Sequence, residues 1–335
     1  MTEPILSVRG LTTVLHLAGG PVDVVRDVSF DILPGETLAL VGESGCGKSM
    51  TMLSVMGLHP QPPAEIVAGR VEFEAVDLLQ VSEERRRLVR GAELAMVYQD
   101  PMTSLNPLMR VGDQISEVLI AHGRSQREAK QRTLEVLGQV GIPRPARAAE
   151  AFPHEFSGGM RQRVVIAIAL ALRPKLLIAD EPTTALDVTI QQQIIELVRD
   201  LQADTGMAVV WITHDLGVVA RVAGRILVMY AGHIVESGST AGVFHGPEHP
   251  YTAGLLASIP PIRGKERPDL VQIPGTPPDP AHQPPGCPFH PRCPQAIDRC
   301  SAEMPPRTER EAGPADPSGE TQTAACWVPP EEWVA

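Results

Sequence analysis

The chain has 335 residues, 43% of them hydrophobic, and a formal net charge of −11. That suits one large domain with an appendage, and the acidic balance counts against a nucleic-acid binder, whose surface carries a basic footprint. The longest unbroken apolar run, Val164–Leu172, is too short to cross a bilayer. The start, Met-Thr-Glu-Pro, lacks the basic stretch and apolar core of a signal peptide. The expectation is therefore a cytosolic chain, in which five cysteines point to metal or reactive thiols before disulfides.

In chain order, Ser7–Val14 and Val22–Leu33 alternate like strands of an antiparallel layer. Thr37–Val41 reads as a buried strand, Met50–Gly57 as a helix, Gly69–Phe73 as a strand and Glu83–Arg90 as an exposed helix. Leu94–Gln99 is a buried strand. Val111–Val140 has helical spacing, broken near Gly123, and Pro143–Pro153 reads as a loop. Met160–Leu172 is an apolar helix, Lys175–Asp180 a strand, Val188–Gln202 a helix and Ala208–Thr213 a strand. Ile226–Met229 and His233–Glu236 form a hairpin. Alternating strands and helices give an α/β fold with a mainly parallel sheet, and 105–172 reads as an inserted helical subdomain. The division expected is 1–258 for this domain and 259–335 for a tail. The last 76 residues hold 18 of the 33 prolines. Such a segment is expected to build neither ordinary helices nor central strands. It is disordered or stapled by another device.

Five motifs carry chemistry. Gly42-Glu43-Ser44-Gly45-Cys46-Gly47-Lys48-Ser49 stands between a strand and a helix that begins near Met50. This is a P-loop in its required context, α/β in type. Its glycines turn backbone N–H groups toward phosphate, Lys48 reaches the β- and γ-phosphates, and Ser49 holds Mg²⁺. An apolar strand ends in Asp180-Glu181, which places one carboxylate beside Mg²⁺ and the next to polarise the attacking water. His214 and Gln99 each close a strand. In this fold ligands bind at such strand ends, so His214 is expected near both carboxylates, and the Gln99 amide is expected to touch Mg²⁺ or the water. Ser157-Gly158-Gly159-Met160 opens a helix and offers a second anion site, expected to act on nucleotide held by another subunit.

Together these motifs resemble the nucleotide-binding subunit of an ABC transporter over roughly residues 5–245. The signature reads Phe156-Ser-Gly-Gly-Met160, and Ala185-Leu186-Asp187 matches the D-loop. Gly-Glu-Ser-Gly in the P-loop, Tyr98–Pro107, Gly158–Arg163, His249-Pro-Tyr-Thr252 and Gly286–Cys293 resemble the oligopeptide/dipeptide/nickel importer family, its D-type ATPase more than its F-type. The resemblance implies ATP hydrolysis with Mg²⁺, and a second ATPase subunit pairing head to tail. It also implies two membrane permeases, an extracytoplasmic binding protein and a peripheral place on the cytoplasmic face of the membrane. Leu15 stands where the family stacks an aromatic ring on adenine, leaving His16 or an aliphatic surface for that role. Cys46 replaces a commoner serine, and a thiol at a helix N-terminus beside Lys48 is expected to have a lowered pKa and to be shielded from alkylation by ATP.

Cys287, Cys293, Cys300 and Cys326 are separated by 5, 6 and 25 residues, wider than the paired cysteines of zinc sites. Some relatives with this spacing carry a 4Fe–4S cluster, which the resemblance implies here. Zinc, four free thiols and disulfides remain open. A soluble ABC ATPase of DNA repair or translation and a redox-sensing regulator are the rival functions.

Overall fold

The computed structural model describes residues 3–184, 186–259, 272–310 and 321–333. The chain runs β1 (Leu6–Leu17), β2 (Gly20–Ile32), β3 (Thr37–Val41), α1 (Lys48–Met56), β4 (Ala64–Phe73), β5 (Val76–Asp77), α2 (Glu83–Val89) and β6 (Leu94–Val97). Next come α3 (Pro101–Ser104), α4 (Val111–Ala121), α5 (Gln126–Gln139), α6 (Pro145–Ala149), α7 (Gly158–Leu170), β7 (Leu176–Asp180), α8 (Val188–Thr205) and β8 (Ala208–Thr213). The remainder is α9 (Leu216–Val222), β9 (Arg225–Tyr230), β10 (His233–Ser239), α10 (Thr240–His245), α11 (Pro250–Ala257), α12 (Asp298–Ala302), β11 (Thr308–Arg310) and β12 (Gln322–Ala324).

Two compact units result. One comprises the chain up to Ile5, Ile32–Glu36 and Gln80–Ile212. In it β6, β7 and β8 are parallel, with Leu94 opposite Leu176 and Leu176 opposite Ala208. Their side chains are buried throughout, as in a sheet covered on both faces. Helices α4–α7 pack on one another. The helical stretch breaks where expected, at Gly123 with φ +82°. Ser125 then restarts it as α5 by a reciprocal cap with Glu128. The expected loop 143–153 contains α6, because Pro145 stands at a first-turn position, where its missing N–H costs nothing.

The second unit comprises Leu6–Asp31, Thr37–Leu79 and the chain from Thr213 onward. One sheet has the order β2-β1-β4-β5, with β4 antiparallel to both β1 and β5. Strand β3 lies parallel to β9, and β9 pairs antiparallel with β10. A buried hydroxyl pair, Thr13 to Ser54 at 2.8 Å, ties β1 to α1.

The tail joins this unit through β12, contrary to the expectation that it builds no central strand. Gln322–Ala324 contains no proline and pairs on both sides, with β10 and with β11. The prolines fall outside the ladder, so no strand hydrogen bond is lost to them. Tail residues also enter the core. Phe289, Cys287 and Cys300 are buried together with Val41, Val228, Tyr230 and Tyr251. Helices α9, α10 and α11, absent from the sequence reading, are capped by Asp215, Ser239 and His249, each of which accepts a backbone N–H from the first turn.

Candidate active site

Strand β3 delivers the chain into the P-loop at Gly42. Gly42, Gly45 and Gly47 have φ of +152°, +79° and +105°. A Cβ on Gly42 would run into the Met229 carbonyl, and one on Gly47 would lie 2.5 Å from the Val24 carbonyl oxygen. The loop therefore closes only without side chains there, leaving a backbone cradle of the kind that takes phosphate. Lys48 Nζ donates to the carbonyls of Gly42 at 2.8 Å and Glu43 at 3.0 Å, so its charge stands at that cradle. Helix α1 starts at Lys48 and carries Ser49 and Met50 in its first turn; Ser44 and Gly45 are exposed.

Cys46 departs from expectation. Its thiol is buried, and burial pushes its pKa up; the nearby Lys48, 3.9 Å from Sγ, only partly offsets this. Desolvation disfavours the thiolate more than one ammonium favours it, so the thiol is not activated.

The other unit carries the acidic strand. Asp180 is the buried last residue of β7. Glu181 follows with φ +45°, in the left-handed region, a conformation that costs a non-glycine residue about 1–3 kcal/mol and clusters at functional positions. Its N–H donates to the Ile212 carbonyl at 2.9 Å. Its carboxylate accepts from Gln99 Nε2 at 3.1 Å and from the Thr184 hydroxyl at 2.8 Å. Gln99 and Glu181 thus meet directly, a contact the sequence did not suggest, since the Gln99 amide was expected at Mg²⁺ or the water. Thr184 was missed, although a hydroxyl three residues after an acidic residue is a local signal for such a bond. His214 is exposed just beyond β8, where Asp215 caps α9.

After Gln99, Asp100 caps α3 by accepting the Met102 N–H at 2.8 Å. Arg161 of α7 hydrogen-bonds the Pro153 carbonyl and reaches Met102 Sδ. The loop leaving Gln99 is therefore docked on the helix that Ser157 opens. Ser157 Oγ accepts from the Met160 N–H. A Cβ on Gly159 would stand 2.6 Å from Ile190 of α8, whereas one on Gly158 would meet nothing closer than Leu186, at 3.8 Å. Gly159 is needed for helix packing; among the described residues nothing demands glycine at 158. Asp187 caps α8 through the Ile190 N–H, and Ala185 lies outside the described residues.

Sequence reading also missed a set of contacts that the C-terminal part of the chain makes with Glu43. The Glu43 N–H donates to Tyr251 Oη at 2.8 Å, and the Glu43 carboxylate takes both terminal nitrogens of Arg292, at 2.7 and 3.0 Å. Both partners stand in motifs noted for resemblance, but nothing local pairs them with Glu43, more than 200 positions away. His16 hydrogen-bonds Glu65 at 2.7 Å in an exposed setting.

In the tail, the Cys287 N–H donates to the Cys300 carbonyl at 2.8 Å. Gly286 has φ +68°, and a Cβ there would collide with that same carbonyl, so glycine permits the approach. Burial first, then the neighbouring thiols, push Cys287 up to about 11 and Cys293 up to about 12. All four cysteines thus share one neighbourhood. Yet among the described residues no three histidine, cysteine or acidic side chains stand as a group that could hold a metal ion. The arrangement gives the iron–sulfur expectation no support. Among the described residues no helix is long and apolar enough to cross a membrane.

Comparison with known proteins closes the argument. Residues 25–184 match the ABC transporter family, and residues 235–300 match the oligopeptide/dipeptide transporter C-terminal region. The chain is 49% identical to the dipeptide transport ATP-binding protein DppD of Bacillus subtilis over 97% of its own length and 95% of the relative's. It is 53% identical to the oligopeptide transport ATP-binding protein OppD of the same organism, over 90% and 85%. A dimeric ATP-binding cassette, MJ0796, solved with ADP and Pi, superposes with a TM-score of 0.63 at 28% identity, over 71% of this chain and 99% of that one. The chain belongs to the ATP-binding proteins of ABC transporters, an ABC-type ATPase in the branch that carries the oligopeptide/dipeptide transporter C-terminal region.

Proposed function

We propose that this chain hydrolyses ATP to drive a membrane importer of dipeptides or oligopeptides. The observation that carries the reading is Glu181, held in the left-handed region with its carboxylate gripped by Gln99 and Thr184. A strained carboxylate at a strand end is the group that orients and deprotonates an attacking water in phosphoryl transfer. The nucleotide phosphates rest on Gly42, Glu43, Ser44, Gly45, Cys46, Gly47 and the first turn at Lys48, Ser49 and Met50. Ser49, Gln99 and Asp180 are the oxygen donors for Mg²⁺, which neutralises phosphate charge. His214 donates to the γ-phosphate or the water. Ser157, Gly158, Gly159 and Met160 act on nucleotide bound by a second ATPase subunit, and Asp187 shapes the approach. The freedom around Gly158 supports a role toward a partner rather than within the chain.

One set of motifs requires a partner subunit, read here as a different ATPase. Two permeases and an extracytoplasmic binding protein complete the importer, with this chain at the cytoplasmic face of the membrane. Residues 1–258 are the nucleotide-binding domain, with a helical subdomain at about 105–172, and 259–335 the tail. The C-terminal match and the dipeptide and oligopeptide transport names of the relatives favour peptides as cargo; nickel or another small solute is the alternative.

The test is Glu181→Gln in the assembled transporter. Mg·ATP binding stays near wild type while steady-state turnover falls by about 10²–10⁴-fold; retained turnover would refute the role. The expected 4Fe–4S cluster, for which the four tail thiols would be the donors, is open to direct test. Iron and sulfide analysis of the anaerobically purified chain decides it, about four of each supporting the cluster and neither metal nor sulfide removing it.

A further inference from the structure

The Arg292 guanidinium is fixed on every side. It grips both oxygens of Glu43 and donates from Nη1 to Tyr230 Oη at 3.2 Å and from Nε to the Pro274 carbonyl at 2.8 Å. It also lies 5.8 Å and 5.9 Å from the ring centres of Tyr230 and Phe289. The residue is buried at 7% exposure, so its ion pair is little screened. Glu43 is the second residue of the P-loop, and its own carbonyl holds Lys48 Nζ. A second tail segment runs beside the same loop. Pro277, Pro278 and Gln283 line a cavity of about 110 Å³ together with Glu43, Ser44 and Cys46, and Gln283 Nε2 donates to the Ala231 carbonyl.

A carboxylate on the rim of a phosphate cradle repels the anion that the cradle exists to hold. We infer that Arg292 is a positioning residue for nucleotide binding: it neutralises Glu43 and draws its carboxylate toward the tail, so that the P-loop accepts a polyphosphate. A bidentate guanidinium–carboxylate pair suits this task, since it fixes direction as well as charge. The tail is then a condition for full nucleotide affinity. The inference rests on the P-loop being the ATP site.

The experiment measures Mg·ATP affinity of the full-length chain with a fluorescent ATP analogue and by calorimetry, then KM and kcat in the assembled transporter. Arg292→Met weakens affinity about tenfold or more and raises KM, with kcat within about twofold of wild type. Raising the salt to about 0.5 M narrows the gap, because the unpaired Glu43 charge is then screened. Adding Glu43→Gln to Arg292→Met restores affinity to within about threefold of Glu43→Gln alone. A merely structural role would make the double variant no better than Arg292→Met, and that result overturns the inference. So does an Arg292→Met chain binding within twofold of wild type. Should Arg292→Met fail to fold, Arg292→Lys takes its place. A lysine cannot hold both oxygens, so a loss of about threefold, relieved by Glu43→Gln, is expected, and unchanged affinity overturns the proposal. A wild-type chain that does not bind Mg·ATP would sink the P-loop reading itself; normal wild-type binding with an unaffected Arg292 variant sinks only this inference.

Discussion

Phe289→Ala measures how far the tail belongs to the P-loop unit. The ring is buried at 2% exposure and lies 5.3 Å from Tyr230, 5.4 Å from Tyr251 and 5.9 Å from His249, centre to centre. Truncating a core phenylalanine costs about 3–5 kcal/mol, of which each lost aromatic pairing is about 0.5–1.5. If the loss falls on one cooperative unit, amide exchange throughout that unit accelerates by about 10²- to 10³·⁵-fold, at one decade per 1.4 kcal/mol. Hydrogen exchange should follow three amides: Ala325, which donates to the Val235 carbonyl; Cys287, which donates to Cys300; and Glu43, which donates to Tyr251 Oη. Joint acceleration of all three is expected. Acceleration at Ala325 and Cys287 with Glu43 unchanged would refute the reasoning, since the tail would then open by itself.

His249 Nδ1 accepts the Tyr251 N–H, and burial holds its pKa at about 3. A folded value depressed below the ordinary 6.5 stabilises the fold above pH 6.5, and that contribution is lost as pH falls toward 3, on the order of 5 kcal/mol in full. Buried Glu236, pushed up to about 7, works in the opposite sense between pH 4.5 and 7. His249→Asn, which keeps an acceptor at the cap, should therefore show a flatter decline of urea midpoint from pH 6.5 to 4 than wild type; parallel curves would remove the histidine as a source of acid sensitivity. Cys46 should alkylate with iodoacetamide at pH 7.5 at least about tenfold more slowly than a free thiol, with or without ATP, and react freely only after denaturation. Peptide mass spectrometry would read this, and fast labelling of the folded chain would contradict the burial argument.

Much of the nucleotide machinery was legible in the sequence because its chemistry demands contiguous residues. A phosphate cradle needs Gly42, Gly45, Gly47 and Lys48 on one turn, between one strand and one helix. A carboxylate pair at a strand end needs only the apolar run before Asp180. The strands themselves were readable for the same reason, since β6, β7 and β8 are buried on both faces and thus unbroken in apolar character. Gln99 could be singled out because it closes a buried strand, as Asp180 does, although its bond to Glu181 was not foreseen.

The tertiary structure decided what depends on distant partners. Position beside Lys48 suggested an activated Cys46; the mass packed over the thiol reversed that, because desolvation depends on every neighbour and not on the next residue. The proline count suggested a tail without strands. Strand β12 forms because three proline-free residues meet β10, some 86 positions earlier. Short helices such as α9–α11 carry too few turns to show a period. The grip of Arg292 on Glu43 joins residues 249 apart. Local sequence dictates backbone turns and charge order, while burial and pairing are properties of the whole chain once it has closed on itself.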